Sequence, residues 1–126
     1  MTIAVAMLVA VAGGGGAVCR YVLDYAITQH VGGGLPWGTW LVNVTGSLGL
    51  GVLVGLALVV SVPVEVQIVV GGGFLGAYTT FSTWIYESLR LFEQGAWRTG
   101  AMNLVGSIVT GGIAAAAGLA AMQWWV

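Results

Sequence analysis

Apolar residues run along this chain in four long stretches, at about Ile3 to Ile27, Trp37 to Val60, Val64 to Phe92 and Trp97 to Trp125. Each exceeds the roughly 20 residues that a helix needs to cross about 30 Å of hydrocarbon, so the pattern predicts four transmembrane helices. Short punctuation separates them: Gln29 to Pro36, then Ser61-Val62-Pro63, then Glu93 to Ala96. Trp37, Trp97, Trp124 and Trp125 fall at the predicted ends, where an indole prefers the membrane interface to lipid or water. No basic residue precedes Ile3 and no small-x-small site closes the first run, so it reads as a spanning helix rather than a cleaved signal. Residues 1–126 form one expected domain, with no segment left over for a soluble one.

Composition turns that pattern into a solvent assignment. Of 126 residues, 59% are hydrophobic and 6% charged, whereas a soluble domain carries about a quarter charged residues. The 3 arginines and 4 acids, with no lysine, cannot coat a water-facing exterior. They leave no basic footprint for nucleic acid, and the lone Cys19 rules out a disulfide within one chain. Arg90 and Arg98 flank the third loop while the terminal side carries no Lys or Arg, a weak lean towards a cytoplasmic third loop. Glycine supplies 22 residues, with small-xxx-small spacings at Gly51/Gly55, Gly72/Gly76 and Ala114/Gly118 that let helix backbones approach closely in lipid.

The chemistry lies in the polar residues inside the spans. In the third, Gly71-Gly72-Gly73-Phe74-Leu75-Gly76-Ala77-Tyr78 runs into Thr79-Thr80-Phe81-Ser82-Thr83-Trp84. Glycines followed by hydroxyls predict a break in the helix, tolerated in a membrane only where the freed backbone is buried or lines a polar passage. Arg20 sits deep in the first span, where a permanent charge needs a watery cavity or a carboxylate. In the second span Asn43 follows Thr39 by one turn and carries two amide donors. In the fourth, Asn103, Ser107 and Gly111 share one face. Amides, hydroxyls and aromatic ring edges with no midplane carboxylate suit a small anion, fluoride or chloride alike.

Other patterns carry less. The G-x-G-x-x-G match at Gly71 to Gly76 has no βαβ unit around it, and the Asn43-Val44-Thr45 sequon lies in a span. Glu87 and Arg90 are spaced for an interfacial ion pair, while Asp24, Glu65 and Glu93 read as ordinary end or loop charges. There is no nucleophile with a base and no cofactor motif in context, so no enzyme is expected.

Three motifs in order resemble the fluoride channel family (Fluc, also called CrcB) over almost the whole chain. They are Gly15-Gly16-Ala17-Val18-Cys19-Arg20-Tyr21, Gly38-Thr39-Trp40-Leu41-Val42-Asn43-Val44-Thr45-Gly46, and Gly73-Phe74-Leu75-Gly76 leading into Thr79-Thr80-Phe81-Ser82-Thr83. The resemblance implies an all-α membrane protein of four spans, broken in the third, that forms an antiparallel, dual-topology dimer with two fluoride pores. It implies passive export of fluoride from the cytoplasm across the plasma (inner) membrane, protecting the cell. By motif, Asn43, Phe81, Trp84, Thr83, Ser107 and Asn103 fall along the pore, Arg20 and Thr39 in its vestibule. The backbone carbonyls of Gly76 and Thr79 fall where a structural Na+ sits at the dimer interface.

The chain departs from the family at Trp84, which replaces the second phenylalanine of a pair, at Ala77 in place of a glycine, and at Asn103 in place of a tyrosine. These departures leave a heterodimer with a paralogue, or a non-conducting subunit, as alternatives to the homodimer. A small multidrug-type transporter, also a four-span antiparallel dimer, would need an acid in the membrane core, and the first span has no Glu.

Overall fold

A computed structural model describes residues 1–125 of the chain. The first helix, α1 (Ile3–His30), starts at Thr2, whose hydroxyl accepts the Val5 N–H at 3.2 Å, satisfying one of the amide donors orphaned at any helix start. It runs three residues beyond the expected Ile27. The His30 ring closes the last turn through Nδ1 and the Ala26 carbonyl at 2.7 Å, and the Val31 N–H bonds the Ile27 carbonyl. Gly33, at φ +119°, then turns the chain in a conformation that favours glycine. Pro36 precedes α2 (Trp37–Val59), and Pro63 the third span.

That span, Val64–Glu93, is irregular. It comprises α3 (Val64–Val66), a π-helical stretch Gln67–Leu75, α4 (Gly76–Tyr78) and α5 (Phe81–Glu93). Between α4 and α5, Thr79 (φ −79°, ψ 159°) and Thr80 (φ −142°, ψ 120°) are extended. Beyond α5 the Ala96 N–H reaches back to the Leu91 carbonyl at 2.9 Å and Gly95 takes φ +80°, a glycine-dependent helix stop. The chain then enters α6 (Trp97–Trp125). Among the described residues there is no strand.

Glycine, not large side chains, fixes the packing. The α2–α6 contact is nearly backbone on backbone: a Cβ on Gly51 would strike the Ala115 carbonyl, and one on Gly55 would lie 2.8 Å from the Leu119 oxygen. From the other helix, a Cβ on Gly118 would meet Leu48 and Val52. Along α1, Gly16 is pressed against the Phe74 carbonyl, while Gly73 of the π-helical stretch faces Val9 and Ala12. The Gly72/Gly76 pair is different, for both residues are exposed and nothing lies within 4 Å of a Cβ on Gly72.

The exposure pattern is inverted relative to a water-soluble protein. Among the described residues only Val5 and Val42 are buried apolar side chains, whereas Met7, Val11, Leu58, Val105, Ile108 and Ile113 all point outward. Four helices are long and apolar enough to cross a membrane. An outward apolar surface of this extent is stable against lipid and unstable against water. The chain is a multi-pass membrane protein.

Candidate functional site

The site is built around the two extended threonines. Leaving helical geometry at Thr79 and Thr80 frees backbone groups that must bond elsewhere. Asn43, from α2, meets that need: its Nδ2 donates to the Thr80 carbonyl at 2.9 Å and its Oδ1 accepts the Thr80 N–H at 2.7 Å. The side chain thus imitates a strand partner across 37 residues of sequence. One of its two amide hydrogens is spent on the backbone, leaving the other for the cavity. Thr80 also begins α5, its hydroxyl accepting the Thr83 N–H at 3.2 Å and donating to Thr83 Oγ1 at 3.0 Å.

These diversions leave two carbonyls without their helical donors. The Thr80 N–H that would bond Gly76 bonds Asn43, and the Thr83 N–H that would bond Thr79 bonds the Thr80 hydroxyl. The Thr79 oxygen accepts a long contact, 3.5 Å, from Arg20 Nη1. Gly46 lets α2 come this close, since a Cβ there would strike the Thr79 methyl.

Three concavities adjoin one another along this region. The first, about 300 Å³, is lined by Asn43, Ser47, Gly76, Thr79, Phe81 and Trp84, with Thr80 at its edge. The rings of Phe81 and Trp84 meet edge to face, with centroids 5.2 Å apart and planes at 77°. Thr80 also borders the second, about 210 Å³, together with Arg20, Asp24, Thr39 and Thr83. Asp24 in turn borders the third, about 440 Å³, which Glu87, Arg90 and the glycine-rich first loop complete. A polar series therefore runs from the interrupted third span to the first-loop end of the molecule.

Most of the expected residues come together here. Asn43, Phe81, Trp84, Thr79 and Gly76 line the first cavity, and Arg20, Thr39 and Thr83 the second. Asn103 and Ser107 line neither. Asn103 is buried, its amide donating to Ser88 Oγ at 2.8 Å, and it borders a separate, largely apolar cavity of about 230 Å³ beside Trp37 and Trp40. Ser107, one turn further along α6, is half-buried, and Thr110 Oγ1 lies 3.5 Å from its carbonyl.

A sequence model of the family described as "CrcB-like protein, Camphor Resistance (CrcB)" matches residues 7–119. The chain belongs to the CrcB family. A Mycolicibacterium paratuberculosis protein named fluoride-specific ion channel FluC 2 is 45% identical over 114 residues, 90% of each chain. The Mycobacterium tuberculosis H37Rv protein of the same name is 40% identical over 124 residues, 98% of this chain and 92% of that one. A Shewanella protein, strain ANA-3, named fluoride-specific ion channel FluC is 42% identical over 99 residues, 79% and 80% of the two chains.

Two residues of this CrcB chain take up contacts that their sequence positions concealed. Asp24, expected to be an ordinary end charge, is half-buried against α2, where Gly38 leaves room for its carboxylate. Its spacing of one turn from Arg20 was the available signal. Glu87, expected to pair with Arg90, accepts the hydroxyl of Thr39, a residue only 4% exposed. The hydrogen bonds of Ser88 and Trp40 escaped sequence reasoning. Ser88 donates to the Trp84 carbonyl one turn back at 2.8 Å, and the Trp40 indole donates to Thr110 at 2.9 Å. Such serine-to-carbonyl bonds are common in helices and carry no sequence mark of their own.

Proposed function

We propose that this chain forms a fluoride-selective channel that lets the ion leave the cytoplasm passively across the plasma membrane, protecting the cell from fluoride. The observation that carries the reading is the cavity at Thr79 and Thr80. In a molecule otherwise sheathed in apolar side chains, it gathers an amide, hydroxyls and two aromatic rings without a full positive charge at its centre. Fluoride is small and strongly hydrated, so crossing requires replacement of its water shell by fixed donors that do not trap it. The second amide hydrogen of Asn43, the hydroxyl of Thr83, whose oxygen accepts from Thr80 and whose hydrogen is free, and the electropositive edges of Phe81 and Trp84 supply such donors. Arg20, in the adjoining cavity, raises the local concentration of anions, offset in part by Asp24 on the same lining. The names of the relatives, all fluoride-specific ion channels, point the same way.

The reading extends to an antiparallel homodimer. Phe81 is 73% exposed in the isolated chain and lines the cavity, so a second copy packed against it would complete the wall. Only Arg90 and Arg98 stand at a loop, a bias weak enough to permit insertion in both orientations. At the centre of such a dimer the Gly76 and Thr79 carbonyls, deprived of their helical donors, suit a sodium ion, as freed carbonyls of interrupted membrane helices do. Sodium would supply a fixed positive charge that ties the two interrupted spans together.

The test is direct. Protein purified alone and reconstituted into liposomes loaded with potassium fluoride should release fluoride to an ion-selective electrode once valinomycin dissipates the potential, with chloride released far more slowly. Equal release of chloride would remove the selectivity claim, and no fluoride release would remove the channel.

A further inference from the structure

Trp84 lines the cavity beside Phe81, yet its polar edge is turned away and engaged elsewhere. The indole Nε1 donates to the Asn103 carbonyl on α6 at 3.1 Å. The Asn103 amide donates to Ser88 Oγ at 2.8 Å, and the Ser88 hydroxyl donates to the Trp84 carbonyl at 2.8 Å. Three residues thus close a ring of three hydrogen bonds that begins and ends on Trp84 and ties α5 to α6. Ser88 and Asn103 are 1% and 5% exposed. Bonds of this kind, shielded from water, hold geometry more firmly than the same bonds in solvent.

An indole offers two faces of very different chemistry to an anion, a strong N–H donor and a weak C–H edge. A further N–H in the pore, added to that of Asn43, would hold a small anion more tightly and slow its departure. With the N–H engaged by Asn103, the part of the ring that borders the cavity is its hydrocarbon portion. We infer that Ser88 and Asn103 are positioning residues that hold the Trp84 indole with its N–H withdrawn from the ion path, so that the ring serves as a C–H edge. This inference rests on the fluoride-channel reading of the site. It also gives Asn103 a role although it does not border the Phe81 cavity: it acts on the ion through the indole.

The experiment uses full-length protein biosynthetically labelled with 5-fluorotryptophan. The Trp84 resonance among the six tryptophans is assigned by its loss in Trp84→Phe. Ser88→Ala and Asn103→Leu should shift and broaden the Trp84 resonance while the folded dimer persists on size exclusion, and Ser88→Thr, which keeps a hydroxyl, should restore it. Both disrupting variants keep the main-chain carbonyl of residue 103 and remove the side-chain bond between Asn103 and Ser88 that fixes it, so in liposomes each should slow fluoride release about tenfold, the size of one lost buried hydrogen bond expressed in a rate. In the Trp84→Phe background, which has no N–H to withdraw, the same substitutions should cost less than twofold, the non-additivity of residues acting through a shared partner.

A Trp84 resonance unmoved in both variants overturns the inference, as do equal losses in the two backgrounds. If the wild type releases no fluoride, the channel reading fails on its own, and the fluorine spectrum still decides whether Ser88 and Asn103 hold the indole.

Discussion

Asn43 shows most clearly how one side chain can be both scaffold and site. Replacing it with aspartate preserves shape but turns the donor facing the Thr80 carbonyl into an acceptor, and adds a negative charge beside the anion path. Fluoride release from Asn43→Asp liposomes should fall at least about 100-fold, since the bond to the Thr80 carbonyl, worth about 1–3 kcal/mol when buried, is replaced by oxygen–oxygen repulsion and the new charge repels the anion, while the Thr80 N–H keeps its acceptor. Phe81→Ile keeps the bulk and removes the ring edge, and should slow release without lowering the yield of folded dimer on size exclusion. Residue chemistry marked Asn43 and Arg20 because an amide and a charge are conspicuous in an apolar span, whereas Phe81 was marked only by the motif it shares with the fluoride channel family. Neither could show that Asn43 bonds the Thr80 backbone, because that contact joins positions 37 apart through the tertiary fold. Asp24 was misjudged for a related reason: closeness to a predicted end says nothing of the neighbouring helix, and Gly38 opens the space it fills.

At the scale of elements, glycine position decides how near two helices lie, and the chain offers an internal contrast. Gly16→Ala places a methyl group against the Phe74 carbonyl, forcing α1 away from the π-helical stretch. This should lower stability by about 1–3 kcal/mol, as overpacking does, and reduce the melting temperature in a detergent-based size-exclusion assay. Gly112→Ala, where nothing lies within 4 Å, should leave that temperature unchanged or raise it slightly through better helix propensity. The spans themselves were legible, because prolines, tryptophans and hydropathy all change at the same places. The small-xxx-small pairs were legible only as a class. Gly51/Gly55 and Gly118 turned out to form the α2–α6 contact, while Gly72 faces outward, a distinction that the spacing does not contain. Nor does any local pattern predict the π-helical winding of Gln67–Leu75.

For the whole molecule, orientation in the membrane follows from very few charges. Three arginines added at the terminal side should fix one orientation by outweighing Arg90 and Arg98. If two opposed copies build the pore, cells expressing that variant alone should lose fluoride resistance, and co-expression with an oppositely biased variant should restore it. Resistance that persists in the singly biased strain would count against the antiparallel pair. Length matters as well as charge. The contact between α2 and α6 joins helices of 23 and 29 residues, about 35 and 43 Å at 1.5 Å per residue. Glycine leaves the pair little freedom to slide, so the longer rod must lean or overhang where its shorter neighbour stops. Bilayer thickness therefore acts on this protein as a mechanical variable: acyl chains of different length will tip α6, and with it the carbonyl of Asn103 that grips the Trp84 indole of α5.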